Sequence, residues 1–326
     1  MKKKILLILF LIIFIVFFTI NKKHNLTNDV VYKIENINQI GKVYFADRYN
    51  NELTLTKSDE KNQWLVNNKY PVRENNLDMF FETISKMEIK HPVSKNMHNT
   101  VVKSLATNGV KIEIYDSKLN NIKTFYVGEE TPDYLGTYML IENNKIAHVV
   151  HIPGFNGFLA PRLNINNRSV SSELWRSRKI FFDNIDTISI YHNENKEKSF
   201  TLDLKNYIFY KKKLEEIKEI PEKIILDYHK LLKNLNCEGF TNNLSKKDSI
   251  INSTPLYVIN VIYSNKKKKK LKLFRKKPKR KKYQDEKGKF LEYDVDRLFA
   301  YDGEDLFLIQ NYVFNPILYP IFNVKN

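Results

Sequence analysis

The chain writes one succession of strands and helices twice, and that recurrence limits its possible folds more than any single motif does. Self-similarity at a fixed spacing marks a repeated structural unit, and this spacing is far longer than that of solenoid repeats. Ile37-x-x-Ile40-x-x-Val43 returns as Ile185-x-x-Ile188, within a strand running to Tyr191. Leu53-Thr-Leu55 returns as Phe200-Thr-Leu202-Asp-Leu204, and Trp64-Leu-Val66 as Tyr207-Ile-Phe209. Such alternation reads as half-buried strand. Each half then turns helical. Leu77, Phe80, Phe81, Ile84, Met87 and Glu88 fit a 3.6-residue period with one polar lapse at the end. Ile224, Ile225, Tyr228, Leu231, Leu232 and Leu235 fit it throughout, and Pro221 stands where a first-turn proline belongs. A second helix near 97–107, stopping at Gly109, has a weaker counterpart at 245–252.

Ile112-Glu-Ile114-Tyr115 then matches Asn260-Val-Ile262-Tyr263 at an offset of 148 residues, the offset that also carries Ile40 onto Ile188. Return strands are expected at 122–127 and 270–275. Closing hairpins follow, one turning at Asn143-Asn144 and one at Asp302-Gly303, respectively a permitted and a favoured two-residue turn. Val150-His-Ile-Pro153 and Val313-Phe-Asn-Pro316 extend the parallel to the ends. The fold implied is α+β: an N-terminal transmembrane helix, then two tandem duplicated units, each an antiparallel sheet with one main helix on a face. The expected boundaries are an anchor at 1–21, a linker at 22–34 and repeat 1 at 35–163. A connector at 164–180 leads to repeat 2 at 181–326, which carries a basic insertion at 266–284.

The anchor rests on residues 5–20, where Thr19 is the only polar side chain, preceded by Lys2, Lys3 and Lys4 and followed by Lys22 and Lys23. A helix of that length reaches ~24 Å, short of the ~30 Å hydrocarbon core, and snorkelling lysines can close the gap. A cleaved signal ends in small residues, whereas this run leaves through Phe17, Phe18, Thr19 and Ile20. An uncleaved single span is therefore expected, with the following residues exported; the lysine balance across it favours a cytoplasmic N-terminus only weakly.

Cys237 is the only cysteine, so neither an intrachain disulfide nor a zinc cluster of thiolates can form. The net charge of +17 is concentrated: thirteen of the seventeen residues from 266 to 282 are Lys or Arg, and the remainder of the chain carries +4. Lysines far outnumber the nine arginines, and phosphate recognition favours arginine's bidentate fork. No ribonucleoprotein-type motif or arginine-rich helix accompanies the run. These features argue against nucleic acid as a partner.

Several residues in the first half resemble a family of bacterial envelope proteins, the domain-of-unknown-function 4340 family. The resemblance covers 35 to about 190. It rests on the opening strands with Trp64 and the helix after them, and on Gly136-Thr-Tyr138-Met through Val150-His-Ile-Pro-Gly-Phe155. Gly157, Phe158, Arg162, Trp175-Arg176 and Ile180-Phe181 complete it. It implies an exported domain behind an N-terminal membrane segment, in some relatives beside auxiliary parts of gliding-type ABC transporters. It implies no reaction. The lysine-rich insertion departs from the family pattern.

Chemistry-bearing patterns are sparse. The glycines form no phosphate-cradling loop and no nucleophile elbow, and no His-x-x-x-His occurs. His148 and His151 are three apart on a strand and so face opposite sides. Asp302, Glu304 and Asp305 crowd a turn but fall short of a calcium loop. Asp183 and Asp186 mark the entry to the second repeat. No catalytic, cofactor-binding or metal-binding residue is assigned, and no cofactor is expected.

Two candidate interaction surfaces remain. In 153–162 two glycines and two prolines punctuate Phe155, Phe158 and Arg162, residue types that anchor interfaces; packing against the seam between repeats is the plainer reading. Trp175 and Arg176 either join that surface or brace the connector. The basic run opens as an apparent edge strand whose lysines face solvent beside Leu271 and Leu273. It continues through Lys276, Lys277, Lys279, Arg280, Lys281 and Lys282 as a loop suited to anionic lipid or another polyanion. The expected function is a non-enzymatic interaction or accessory module, single-pass in a bacterial inner membrane with its C-terminal domains in the periplasm and an envelope protein as partner. The competing reading is an envelope hydrolase or transferase without a recognisable motif.

Overall fold

The computed structural model describes residues 30–58, 63–165, 169–182, 184–211, 216–278, 284 and 286–319. The expected anchor at 1–21 lies outside them, and no described helix is long and apolar enough to cross a membrane. The chain divides into two compact units, Met1–Ser177 and Arg178–Asn326. Both are α+β, each built on one nine-stranded antiparallel sheet.

In unit 1 the strands are β1 (Ile40–Ala46), β2 (Glu52–Ser58), β3 (Gln63–Val66), β4 (Tyr70–Pro71), β5 (Glu88–Pro92), β6 (Val110–Asp116), β7 (Asn121–Glu130), β8 (Thr137–Ile141) and β9 (His148–His151). They lie in the order β4-β3-β2-β1-β6-β7-β8-β9-β5. Alternation decides the faces: Val43, Phe45, Leu53 and Leu55 are buried while Tyr44 and Thr54 between them are half-exposed. Helix α1 (Glu74–Lys86) lays Leu77, Phe80 and Ile84 on the buried face. Helix α2 (Lys95–Asn108) sets Val101 and Leu105 against Val93, Ala147 and Val149 in a second, smaller core. Phe125 and Val127 of β7 serve the large core and Tyr126 the small one, so the two helices cover opposite faces. A short helix, α3 (Ser172–Trp175), closes the unit.

Unit 2 has β10 (Ile185–His192), β11 (Phe200–Asp203), β12 (Ile208–Lys211), β13 (Glu216–Glu219), β14 (Gly239–Phe240), β15 (Tyr257–Tyr263), β16 (Lys268–Arg275), β17 (Arg297–Tyr301) and β18 (Leu306–Gln310). Their order is β13-β12-β11-β10-β15-β16-β17-β18-β14, position for position that of unit 1. Helix α4 (Glu222–Lys233) buries Ile225, Tyr228 and Leu232 in the large core. Helix α5 (Lys247–Ile251) roofs a small opposite cluster of Phe274, Phe299 and Leu306. Helix α6 (Asn311–Leu318) adds Phe314, Ile317 and Leu318.

The structure departs from the sequence reading at six points. The common 148-residue offset does not describe the matching strands: the registers break between Ile40 and Lys42 and between Ile185 and Thr187, which equates Ile40 with Ile185 rather than Ile188. Ile40 pairs with Asp116 and Ile185 with Tyr263, so the partner strands are spaced differently again. Glu88 opens β5 instead of ending α1, whose C-cap is Met87. Val313 to Pro316 form no strand end like Val150 but belong to α6, because Phe314 and Ile317 are needed in the core. Strand β16 is internal, hydrogen-bonded to β15 and β17, and so is not the edge strand its lysines suggest. Residues 268–275 of the expected insertion are this strand, leaving the extra chain between β16 and β17. Finally, Tyr32 and Ile34 of the expected linker are core residues of unit 1, and residues 22–29 lie outside those described.

Candidate functional site

The segment after β9 turns on Gly154, whose φ of +78° suits a residue without a Cβ. Phe155 then packs against the large core of unit 1, and the Arg162 guanidinium lies 5.0 Å over its ring. Arg162 Nη2 reaches Glu82 on α1 at 2.8 Å and Nε donates to Thr83 Oγ1 at 3.2 Å. Lys86 first and Arg162 second hold the Glu82 carboxyl below its usual range. Arg162 therefore pins the segment to a helix. Phe158 is half-exposed, its ring 6.1 Å from that of Tyr134, and Tyr134 and Leu135 are both exposed.

Trp175 and Arg176 have packing positions. Trp175 is 1% exposed, between Phe45 at 5.3 Å and Phe80 at 5.6 Å. Arg176 lies 3.5 Å over the ring of Tyr70. Backbone bonds from Arg73 to the Trp175 carbonyl and from Ser177 to the Pro71 carbonyl lock both onto the sheet margin. Of the five residues expected at an interaction surface, only Phe158 presents a ring that is neither buried nor roofed by Arg162.

The basic residues divide three ways. Lys276 is turned inward, its ammonium 2.7 Å from Asp294 and both side chains nearly buried. Burial works to raise the Asp294 carboxyl, but the Lys276 bond and the backbone N–H groups of Asp296 and Arg297 outweigh it and hold it low. Lys277 lies at a cleft of about 950 Å³ with Arg275, Lys246 and Tyr293, where Arg275 grips Glu194 through two bonds. Lys279, Arg280, Lys281 and Lys282 lie outside the described residues.

A second cleft, of about 790 Å³, opens where the turns Ser264–Lys267 and Asp302–Glu304 meet Phe182. Phe182 is 52% exposed. Lys269 is paired with Asp302 at 3.2 Å, while Lys267, Lys268 and Lys270 line the opening. Burial pushes the Asp302 carboxyl up, but the backbone N–H of Asp305 and the Lys269 charge prevail and keep it low. The sequence shows the lysines; it hides that Phe182, far off in the chain, stands beside them. Asp183 lies outside the described residues, and Asp186 accepts the Ser264 hydroxyl.

The remaining candidates resolve into structure. His148 is buried, 3.3 Å from the Tyr32 hydroxyl, and burial lowers its pKa, with His98 adding to the effect. His151 is half-exposed at the end of the same strand. Among the described residues no group of three or more His, Cys, Asp or Glu is placed to hold a metal ion. Cys237 is buried. Comparison with family models, with curated proteins and with solved structures finds no match to this chain.

Proposed function

We propose that this chain is a single-pass envelope protein whose N-terminal apolar segment lies in a bacterial inner membrane. Its two α+β units serve in the periplasm as a non-enzymatic interaction or accessory module. The observation that carries the reading is the run at 5–20, flanked by lysines on both sides. The resemblance of 35 to about 190 to the domain-of-unknown-function 4340 family supports the same location. From that resemblance alone we infer an envelope protein, of the kind that accompanies ABC-type transport, as the partner. The half-exposed Phe158 with Tyr134 and Leu135 offers such a partner an aromatic contact. Lys277 and the basic residues after it offer a contact with anionic lipid, at ~1 kcal/mol per residue near such a surface.

We also infer that the two units descend from one by duplication. Their identical strand orders and the matched register breaks near Ile40 and Ile185 support this.

Fractionation tests the location. The full-length chain is expected to sediment with membranes through alkaline washing, and external protease is expected to digest the residues after 22 in spheroplasts. Recovery of the intact chain in the soluble fraction would end the proposal.

A further inference from the structure

Strand β16 sits in the interior of its sheet, yet alternate residues on one face are Lys268, Lys270 and Lys272. Leu271 and Leu273 point to the large core, so the three lysines share the opposite face with Phe274, which α5 covers. Successive lysines of this row are roughly 7 Å apart. Their neighbours on β15 are Ile262, Asn260 and Val258, and Lys272 meets Tyr301 on β17. None of the three forms an ion pair among the described residues. The matching face of unit 1 is arranged otherwise: Lys111 there is neutralised by Glu113 at 2.6 Å and Glu142 at 3.4 Å. No edge needs guarding at an interior strand, so the usual reason for lysine in a sheet does not apply here.

We propose that this face binds a linear anionic glycan. The row recurs regularly along one uninterrupted strand, which fits a chain bearing repeated charge better than a single phosphate. It runs from the wall made by α5 to the cleft beside Phe182, which Lys268 and Lys270 also line. Beyond the row the face carries Asn260, Ser189, Thr187 and Thr201, amide and hydroxyl groups suited to sugar hydroxyls. Exposed Phe182 at the cleft supplies a flat apolar surface for a sugar ring. Asp302 at that cleft is already engaged by Lys269. The inference goes beyond the membrane-anchoring proposal and does not depend on it.

The test is binding of a fluorescent heparin dodecasaccharide to the purified full-length chain, compared with its disaccharide, an oligothymidylate of similar charge and phosphatidylglycerol vesicles. The K268Q/K270Q/K272Q variant is expected to lose at least tenfold in affinity for the dodecasaccharide. The K279Q/R280Q/K281Q/K282Q variant, which removes more charge elsewhere, is expected to lose less than threefold. Lys270→Thr alone gives a second, milder probe of the row, with circular dichroism confirming the fold of each. Equal losses in the two multiple variants would overturn the row as a site. Disaccharide binding as tight as the longer chain, or tighter row-dependent binding of oligothymidylate or vesicles, would overturn the linear glycan as its ligand.

Discussion

Lys276 shows how far a residue's role can depend on what folds opposite it. In sequence it is one more cation in a basic run; in the structure its ammonium is buried against Asp294. Removing one member of a buried pair leaves the other charge without compensation. Lys276→Ala is therefore expected to lower unfolding free energy by about 3 kcal/mol in urea titrations, whereas exposed Lys277→Ala stays within roughly 0.5 kcal/mol. The pair also has a pH signature. The Asp294 carboxyl is depressed in the fold, so its contribution is complete above the ordinary carboxylate pKa near 4 and is lost as pH falls below it. Trp175 belongs to the same lesson. It was legible as a large residue of a connector, but its contact with Phe45 and Phe80 depends on a return of the chain that no local pattern announces. Trp175→Ala is expected to cost about 3–5 kcal/mol, because the cavity left beside those rings cannot collapse fully.

At the scale of elements, the strands and helices with strong periodicity were readable. The alternation in β1, β2, β6 and β10 and the apolar stripes of α1 and α4 come directly from burying one face. Strand β5 escaped because four of its five residues are exposed, leaving no alternation to see; it is held by backbone pairing with β9. Register was misread for a related reason. Isoleucines three apart fit more than one alignment, and Ile185 and Ile188 match Ile37 and Ile40 by type as readily as their structural equivalents Ile40 and Val43. Strand β16 carries a load that neither pattern reveals. Adjacent like charges ~7 Å apart repel by roughly 0.6 kcal/mol even in water, and lysine is a poor strand former. Lys270→Thr is expected to raise stability by about 0.5 kcal/mol while weakening glycan binding, a trade that urea titration and binding together would reveal. At the turn between β17 and β18, Gly303 has a φ of +103° in open space. Gly303→Ala should cost about 1–2 kcal/mol from backbone strain alone.

For the whole molecule, each unit keeps a histidine in its interior. His148 in unit 1 and His192 in unit 2 are both held below the ordinary histidine range, principally by burial. At His192 the Leu318 carbonyl, 3.1 Å from Nε2, opposes that shift without reversing it. The fold thus prefers the uncharged rings. Their contribution is full above the unfolded pKa of about 6.5 and is lost as pH drops through it toward the depressed native values. The urea midpoint is expected to fall between pH 7 and pH 5, well before the carboxylates titrate. The double variant His148→Gln, His192→Gln should flatten that slope; an unchanged slope would assign it to other groups.

The extra chain between β16 and β17 is fastened where it leaves and re-enters the sheet. The Asp294 amide donates to the Lys276 carbonyl at 2.7 Å, in addition to the ion pair of the same two residues. That double clasp closes the base of the segment, and just inside it Tyr293 packs under the Arg275 guanidinium of β16 at 4.9 Å. A closed loop's entropy grows only with the logarithm of its length, about 0.6 kcal/mol per doubling. A change of length between Lys277 and Tyr293 therefore costs little while the clasp holds the two ends together. The same spot is a natural socket for a grafted peptide or label.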